Sequence, residues 1–396
     1  MLSEVTILRQ NGLGKSAARD DGTAGIVADA VAIDGRVAIG TPIAITSLAE
    51  LESKGVTKAY DLTNKVLLWH HVRDFYLGAD KGTKLYIMPV AKQTKMADVL
   101  DTSQGEAAKL LTYAKGAIRL LAIASMSETF AALTTNVTAA QSLFTWAAAR
   151  NKATQILLEG RAFPSDYTTA PSLREMTANR VSVVISQDPT VAAEDAAYND
   201  YAQVGLLLGT LAGIPVSRDA GRVRSGSIAV SASGISNGKQ DGDVGYYDDD
   251  QLSAIDDLGY LFLRTYDGMA GHFWNADYTA VAGTDDCDTI RMGRTLDKAA
   301  DLARLKALES LRDDVEIDTS TGYISVDVLH NIQADIETAV LTQMTDEISG
   351  VQCTIDPEQS LWDSSNPLVV DLEIVARGVI ARIQIPVYYV TQLSDD

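Results

Sequence analysis

The chain has 396 residues, 46% of them hydrophobic and 22% charged, with a formal net charge of −20. That length is too great for one small core and leads to an expectation of two or three domains. No apolar run is long enough to cross a bilayer, and MLSEVTILRQNG at the start has neither the basic nor the long apolar region of a secretory signal. The charge argues against nucleic acid as a partner, because neutralising phosphates needs clustered Lys and Arg. It also makes copies of the chain repel one another, so self-association would need an attraction strong enough to overcome that.

In chain order, residues 1–10 alternate, with Val5 and Ile7 against Thr6 and Leu8, and predict a short strand. The stretch NGLGKSAARDDGTAG reads as a linker or arm. IVADAVAIDGRVAIGTPIAITS predicts one or two strands. SLAELESKGV predicts a helix with Ser47 as N-cap, Glu50 at the capping-box position and Gly55 closing it. NKVLLWHHVRDFYLG predicts an amphipathic helix carrying Val66, Leu67, Trp69, Val72, Phe75 and Tyr76, and KLYIMPVA a buried strand. EAAKLLTYAKG, TAAQSLFTWAAARNK, PSLREMTANR and AAYNDYAQVGLLLGTLAG then read as helices, interleaved with the strands AIRLLAIA, TQILLEGR and VSVVISQD. This alternation points to an α/β layer with a largely parallel sheet.

Residues 217–250 are rich in Gly, Ser and Asp and mark a boundary near 245. Two long helices follow, at about 296–311 and 327–348. The second has an apolar stripe of Leu329, Ile332, Ile336, Ala339, Val340, Met344 and Ile348. Opposite it stand Asp327, Asn331, Asp335, Thr338, Thr342 and Asp346. In LVVDLEIVARGVIARIQIPVYYV, two alternating runs flank Gly378 and read as a hairpin or bent pair. Leu372, Ile374 and Ala376 form one run, and Ala381, Ile383, Ile385 and Val387 the other. Pro386 demotes the last strand to an edge.

None of the apparent active sites survives inspection. Gly14-Lys15-Ser16 ends like a P-loop, but Arg9 occupies the place of the first glycine. Gly12, Gly14 and Ala17 fit a dinucleotide fingerprint that should open an apolar helix, which ARDDGTAG cannot form. His70 and His71 are neighbours, about 100° apart on a helix, and read as surface or packing residues rather than ligands of one metal. DGDVGYYDDD lacks the glycine and closing glutamate of a calcium loop. Cys287 sits among carboxylates that raise a thiol pKa, and Cys353 is far from it, so neither a nucleophile nor a disulfide framework is expected. The expectation is a protein that is not an enzyme and has no catalytic residue, cofactor or metal.

The resemblance lies in an ordered set of stretches. YLFLRTYDGMAGHFWNADYTAV precedes DTIRMGRTLDKAADLARLKALESLRDDVEID, a helix ending DEISGVQCTID, and the terminal LVVDLEIVARGVIARIQIPVYY. Together with PIAITSLAELESKGV and LLWHHVRDFYLGADKGTKLYIMPV, and with the Gly205–Gly226 stretch GLLLGTLAGIPV…GRVRSG, they resemble contractile tail sheath proteins over nearly the whole chain.

That resemblance implies an outer α/β domain and an inner domain of a β-sheet flanked by helices, with extended arms at both ends. The expected divisions are 1–22 (N-terminal arm), 23–245 (outer domain), 246–378 (inner core) and 379–396 (C-terminal arm). It implies that residues 289–311 form a helix with Leu296, Ala300, Ala303, Ala307 and Leu311 on its core face. It also implies that Leu2, Val5 and Ile7 from one end, and Val379, Ala381, Ile383, Ile385 and Val387 from the other, add strands to neighbouring subunits. The polar face Asp327, Asn331, Asp335, Thr338, Thr342 and Asp346 would meet the inner tube, the plainer alternative being that it faces solvent. The implied partners are copies of the chain in stacked rings, the tube, and baseplate and tail terminator proteins. The implied location is a virion tail or a contractile particle assembled in the cytoplasm, with no membrane insertion. The competing readings are a non-contractile structural virion protein, and an α/β enzyme or ligand-binding protein without a recognisable site.

Overall fold

A computed structural model of the chain describes residues 21–125, 128–358, 367–387 and 389. Strands β1 (Ala24–Ala30) and β2 (Ile43–Ile45) precede helices α1 (Leu48–Ser53), α2 (Lys58–Asn64) and α3 (Leu68–Gly78). Then come β3 (Leu85–Ala91), α4 (Met96–Val99), α5 (Glu106–Tyr113), β4 (Leu120–Ile123), α6 (Leu133–Ala148) and β5 (Gln155–Glu159). They are followed by β6 (Thr177–Ala178), β7 (Val181–Val184), β8 (Ser186–Gln187), α7 (Pro189–Ala192), α8 (Val204–Ala212), β9 (Gly234–Ile235) and α9 (Asp249–Asp257). The remainder is β10 (Leu263–Tyr266), β11 (Met269–Trp274), β12 (Ala280–Val281), α10 (Ile290–Ala307), α11 (Val326–Met344), β13 (Ile348–Thr354) and β14 (Asp371–Ala376).

A six-stranded sheet in the order β2-β3-β1-β4-β5-β7 forms the centre. Its strands are parallel except β2, which runs antiparallel to β3. Every residue of β1 is buried, as expected of a parallel strand covered on both faces. Side chains alternate between two cores. Val27, Met88, Leu121 and Leu158 pack with α5 and α6, and Ile26, Ile87, Leu120 and Leu157 with α3 and α8. Both cores continue past residue 245: Ile255, Tyr260 and Phe262 join the first, and Leu261, Trp274 and Ile290 the second.

The start of α1 follows its sequence closely. Ser47 accepts from the Glu50 amide, and Gly55 takes a φ of +91° just past the helix end. The Glu50 carboxylate, however, goes to the amide and hydroxyl of Thr46 rather than back to Ser47.

Two expected helices differ. PSLREMTANR forms a single 3-10 turn, Leu173–Glu175, and then β6, because the Leu173 amide bonds to the Leu258 carbonyl and β6 pairs with β12. The expected helix from Ala196 is regular only from Val204. The Gln203 amide is taken by the Ser186 carbonyl and the Ala202 amide by the Glu159 carboxylate, which holds the preceding residues out of a helix.

Helices α3 and α8 touch backbone to backbone. A Cβ on Gly205, Gly209 or Gly213 would lie 2.2 Å from the His71 carbonyl oxygen, 2.1 Å from that of Phe75 and 2.2 Å from that of Gly78, respectively. Only hydrogen side chains fit there.

The C-terminal layer is α10 and α11 against the antiparallel pair β13–β14. Ala299, Leu302, Val340, Met344 and Ile348 pack there with Val351 and Ile374. The run Leu372–Ala376 therefore pairs with β13, not with residues 381–387 across Gly378. β13 offers it a partner with an apolar backing, whereas residues 379–387 are exposed and form no strand. α10 also turns a different face inward from the one expected. Leu296 and Leu311 are 44% and 67% exposed, while Ile290, Gly293, Arg294, Thr295, Ala299, Asp301 and Leu302 are buried. Its inner face is partly ionic.

Candidate assembly surface

The ionic face of α10 meets the sheet, Asp21 before β1, and residues beside β13 and β14. Arg180 makes a two-pronged contact with Asp297, at 3.3 and 3.2 Å, and Arg119 pairs with Asp301. Arg294 is buried and donates to the Asp21 carbonyl at 3.2 Å. Burial lowers its pKa to about 10, opposed by Asp21, Glu347 and Asp277. The Lys298 ammonium reaches Asp21 and Glu347, each at 2.6 Å. At the start of α10, the Asp277 carboxylate accepts from the Arg291 amide, and the Arg291 guanidinium donates to the Arg377 carbonyl at 3.2 Å. Arg377, which follows β14, is also 3.8 Å from Asp346. One helix thus grips the foot of each terminal segment.

The β13–β14 pair is open at both outer edges among the described residues. Beyond it, Val379, Ala381, Ile383, Ile385 and Val387 are all exposed. Leu2, Val5 and Ile7 lie outside the described residues, as does the NGLGKSA stretch. On α11, Leu329, Ile336, Val340 and Met344 are buried, and Asp327, Asn331, Asp335, Thr338 and Thr342 are exposed. Asp346, also exposed, stands two residues past the helix end. Asp335 is not a free charge, since Lys306 on α10 sits 3.1 Å away.

The other flagged residues have structural surroundings. His70 and His71 are both buried. His70 lies between Asp61, 2.8 Å from Nδ1, and Glu194, 3.1 Å from Nε2. Burial lowers the His71 pKa to about 3, which keeps it neutral. Cys287 is buried, which raises its pKa against the pull of Arg180, while Asp297 and Asp285 raise it further. Asp248, from the acidic run, caps α9 by accepting from the Gln251 amide, and Gln251 accepts in return from the Asp248 amide. Among the described residues, no three His, Cys, Asp or Glu side chains are grouped to hold a metal ion, and no helix is long and apolar enough to cross a membrane.

The contacts of α10 with Asp21 and Arg377, and its ionic side, escaped sequence reasoning. The available signal was the charge spacing Arg294, Asp297, Lys298, Asp301 within one helix, which reads at first as a solvated face.

Comparison with known proteins gives the same fold over the whole length. The baseplate of the anti-feeding prophage (AFP) contains a chain that matches at a TM-score of 0.61 and 12% identity, covering 98% of this chain and 99% of that one. The same baseplate in its contracted state matches at 0.61 and 14%, covering 98% of each chain. The PVC sheath complex of an extracellular contractile injection system, in its contracted state, matches at 0.58 and 12%, covering 99% of this chain and 98% of that one. At these identities the likeness is one of fold. No curated protein matches. The N-terminal domain of DUF2586 matches residues 2–277, well over half of the sequence, and the chain therefore belongs to the DUF2586 family.

Proposed function

We propose that this chain is a structural subunit of a contractile sheath, polymerising as stacked rings around an inner tube and contracting to drive that tube through a target envelope. The observation that carries the reading is a sheath-type fold over 98–99% of the chain whose C-terminal strand pair has open edges beside an exposed, alternating apolar segment. Subunits would be linked by strand exchange, residues Leu2, Val5 and Ile7 of one neighbour and 379–387 of another adding to the β13–β14 pair of a third. Main-chain hydrogen bonds supply such affinity whatever the side chains, and that attraction offsets the repulsion among subunits of charge −20.

On this reading the chain is not an enzyme, and the six-stranded α/β unit faces outward. Its working divisions are 1–22 and 379–396 for the arms, 23–245 outside and 246–378 inside, although residues from Ile255 to Ile290 pack into the cores of the six-stranded sheet and go with it. The face of α11 with Asp327, Asn331, Asp335, Thr338, Thr342 and Asp346 meets the tube. The further partners are baseplate and tail terminator proteins, within a phage tail or a related injection particle.

A second reading has its own support in the two matched chains that come from a baseplate: the subunit is the baseplate-proximal member of such a stack. Electron microscopy of the purified protein, alone and with its tube, separates them. Long hollow cylinders carry the sheath reading, and short rings that form only on a baseplate carry the second. A discrete monomer or dimer that does not assemble with tube or baseplate overturns both.

A further inference from the structure

Arg119, Arg180, Arg294 and Lys298 meet where α10 crosses the sheet, and three of these cations hold a carboxylate. Arg180 has Asp297, Arg119 has Asp301, and Lys298 has Asp21 and Glu347. Arg294 pairs with no carboxylate among the described residues. It is 5% exposed, and its Nη2 donates to a neutral acceptor, the Asp21 carbonyl. Its Nε and Nη1 are buried and have no acceptor within hydrogen-bond distance among the described residues. A guanidinium taken out of water with two of its nitrogens unmatched is costly, because it gives up hydration without replacement. The lowered pKa of Arg294 has the same origin: Asp21, Glu347 and Asp277 oppose the effect of burial but do not cancel it.

Arg294 borders a cavity of about 20 Å³, whose wall also includes Arg119, Lys298, Asp21, Asp297 and Ala153. Its two carboxylates are already engaged, Asp297 by both prongs of Arg180 and Asp21 by Lys298, so neither supplies the missing counter-charge. A space of this size takes one water or one ion of similar radius, for which roughly 10–15 Å³ suffices. A water would accept hydrogen bonds there but bring no charge. A monatomic anion brings both, and a sphere accepts from several donors without a preferred direction.

We propose that this cavity is a binding site for one small monovalent anion such as chloride, held by Nε and Nη1 of Arg294 with Lys298 and Arg119 beside it. Asp21, Arg119 and Ala153 stand just before β1, β4 and β5, whereas Arg294 and Lys298 belong to α10. The ion therefore ties the amino ends of three sheet strands to the C-terminal layer. The side chains of Asp21, Asp297 and Lys298 keep 16–25% of their surface, which gives the ion a route to solvent. A chain of net charge −20 repels anions at long range, so chloride that collects on it does so for a local reason.

Chlorine NMR of the full-length free subunit in sodium chloride tests the site. The wild type should broaden the chloride line in proportion to protein concentration. Bromide should compete the broadening away, and gluconate, too large for the cavity, should not. Arg294→Gln should lower the affinity about ten-fold or more, the loss expected for a charge-assisted donor. Ala153→Val keeps every charge and adds volume at the cavity wall, so it should abolish the broadening even if Arg294→Gln fails to fold. Arg36→Gln, on the exposed connection between β1 and β2, should keep it. The wild-type urea midpoint should also be higher in chloride than in gluconate at equal ionic strength, because a ligand of the native state stabilises it, and Ala153→Val should remove the difference. A wild type without broadening assigns the cavity to water and overturns the proposal. Broadening that both cavity variants leave intact places the ion on the surface and overturns it too. So does broadening that appears in Asp20→Asn but not in the wild type, which would make the chain's own carboxylate the occupant. None of these measurements depends on assembly, so the sheath reading stands or falls separately.

Discussion

The ammonium of Lys298 lies 2.6 Å from the carboxylate of Asp21, which ties the middle of α10 to the foot of the N-terminal segment. The same ammonium lies 2.6 Å from Glu347, one residue before β13. Arg291, two turns earlier on α10, holds the carbonyl of Arg377 beyond β14. The side chains of Lys298, Asp21 and Glu347 keep 14–25% of their surface, so their pairing is only partly screened by solvent.

Lys298→Met should therefore leave two carboxylates close together without their shared cation. A loss of about 1–3 kcal/mol is expected, between the values for exposed and fully buried pairs. Urea unfolding of the free subunit measures it, and Lys298→Arg should recover most of the loss. A variant as stable as the wild type would mean that the cluster contributes nothing to the fold.

Asp277 is one of several buried carboxylates that make stability depend on pH. It is 1% exposed, and burial followed by the neighbouring Asp219 holds its carboxyl well above the usual carboxylate range. The folded state thus binds this proton more tightly than the unfolded state. The resulting stability is full below the unfolded value, about 3.9, and is lost as pH rises through the folded value. Asp277→Asn removes that loss. Thermal midpoints should fall less steeply in the variant than in the wild type as pH is raised from about 4, and parallel curves would refute the assignment.

Gly209→Ala tests the contact between α3 and α8. The added methyl would stand 2.1 Å from the Phe75 carbonyl oxygen, so the helices must separate. Overpacking of this kind costs about 1–3 kcal/mol, or more where backbone must move. Gly283→Ala is the control, because its Cβ would meet only the Asp288 carboxylate, at 4.0 Å. Equal urea midpoints for the two variants would show that the seam is looser than its geometry.

Reversing Asp335 and Asp346 to Lys tests the outer face of α11. Their side chains are 63% and 98% exposed and pair with Lys306 and Arg377. Each change should alter stability by no more than about 0.5 kcal/mol. If this face meets the tube, cylinders still form but release the tube at lower salt. Tube retention at wild-type salt concentrations would assign the face to solvent.

The buried strands were legible because a parallel strand covered on both faces needs a nearly unbroken apolar run, as in LYIMPVA and QILLE. The stripe on α11 was legible for the same kind of reason: its inner face is apolar along its length. The inner face of α10 was not, since it buries Arg294 and Asp301, and a rule that sends charges outward rotates the helix away from its true orientation. Those charges can be inside only because Asp21, Arg119 and Arg180 come from distant parts of the chain to meet the helix, a fact no local window contains. The pairing of β14 failed similarly. Alternation identifies a strand but does not name its partner, and the nearer run, 381–387, lacked the helical backing that β13 has.

The glycine notches of α8 have a mechanical consequence. Three carbonyls of α3 sit where side chains would otherwise be, at positions four residues apart along α8. To slip along its neighbour, α8 would first have to lift until the stretches of helix between the glycines cleared those oxygens, and the next matching register lies about 6 Å farther on. Small shear displacements are thereby refused rather than absorbed. A load applied at one end of this body is passed to the other with little creep inside it, and compliance is left to whatever joins one body to the next.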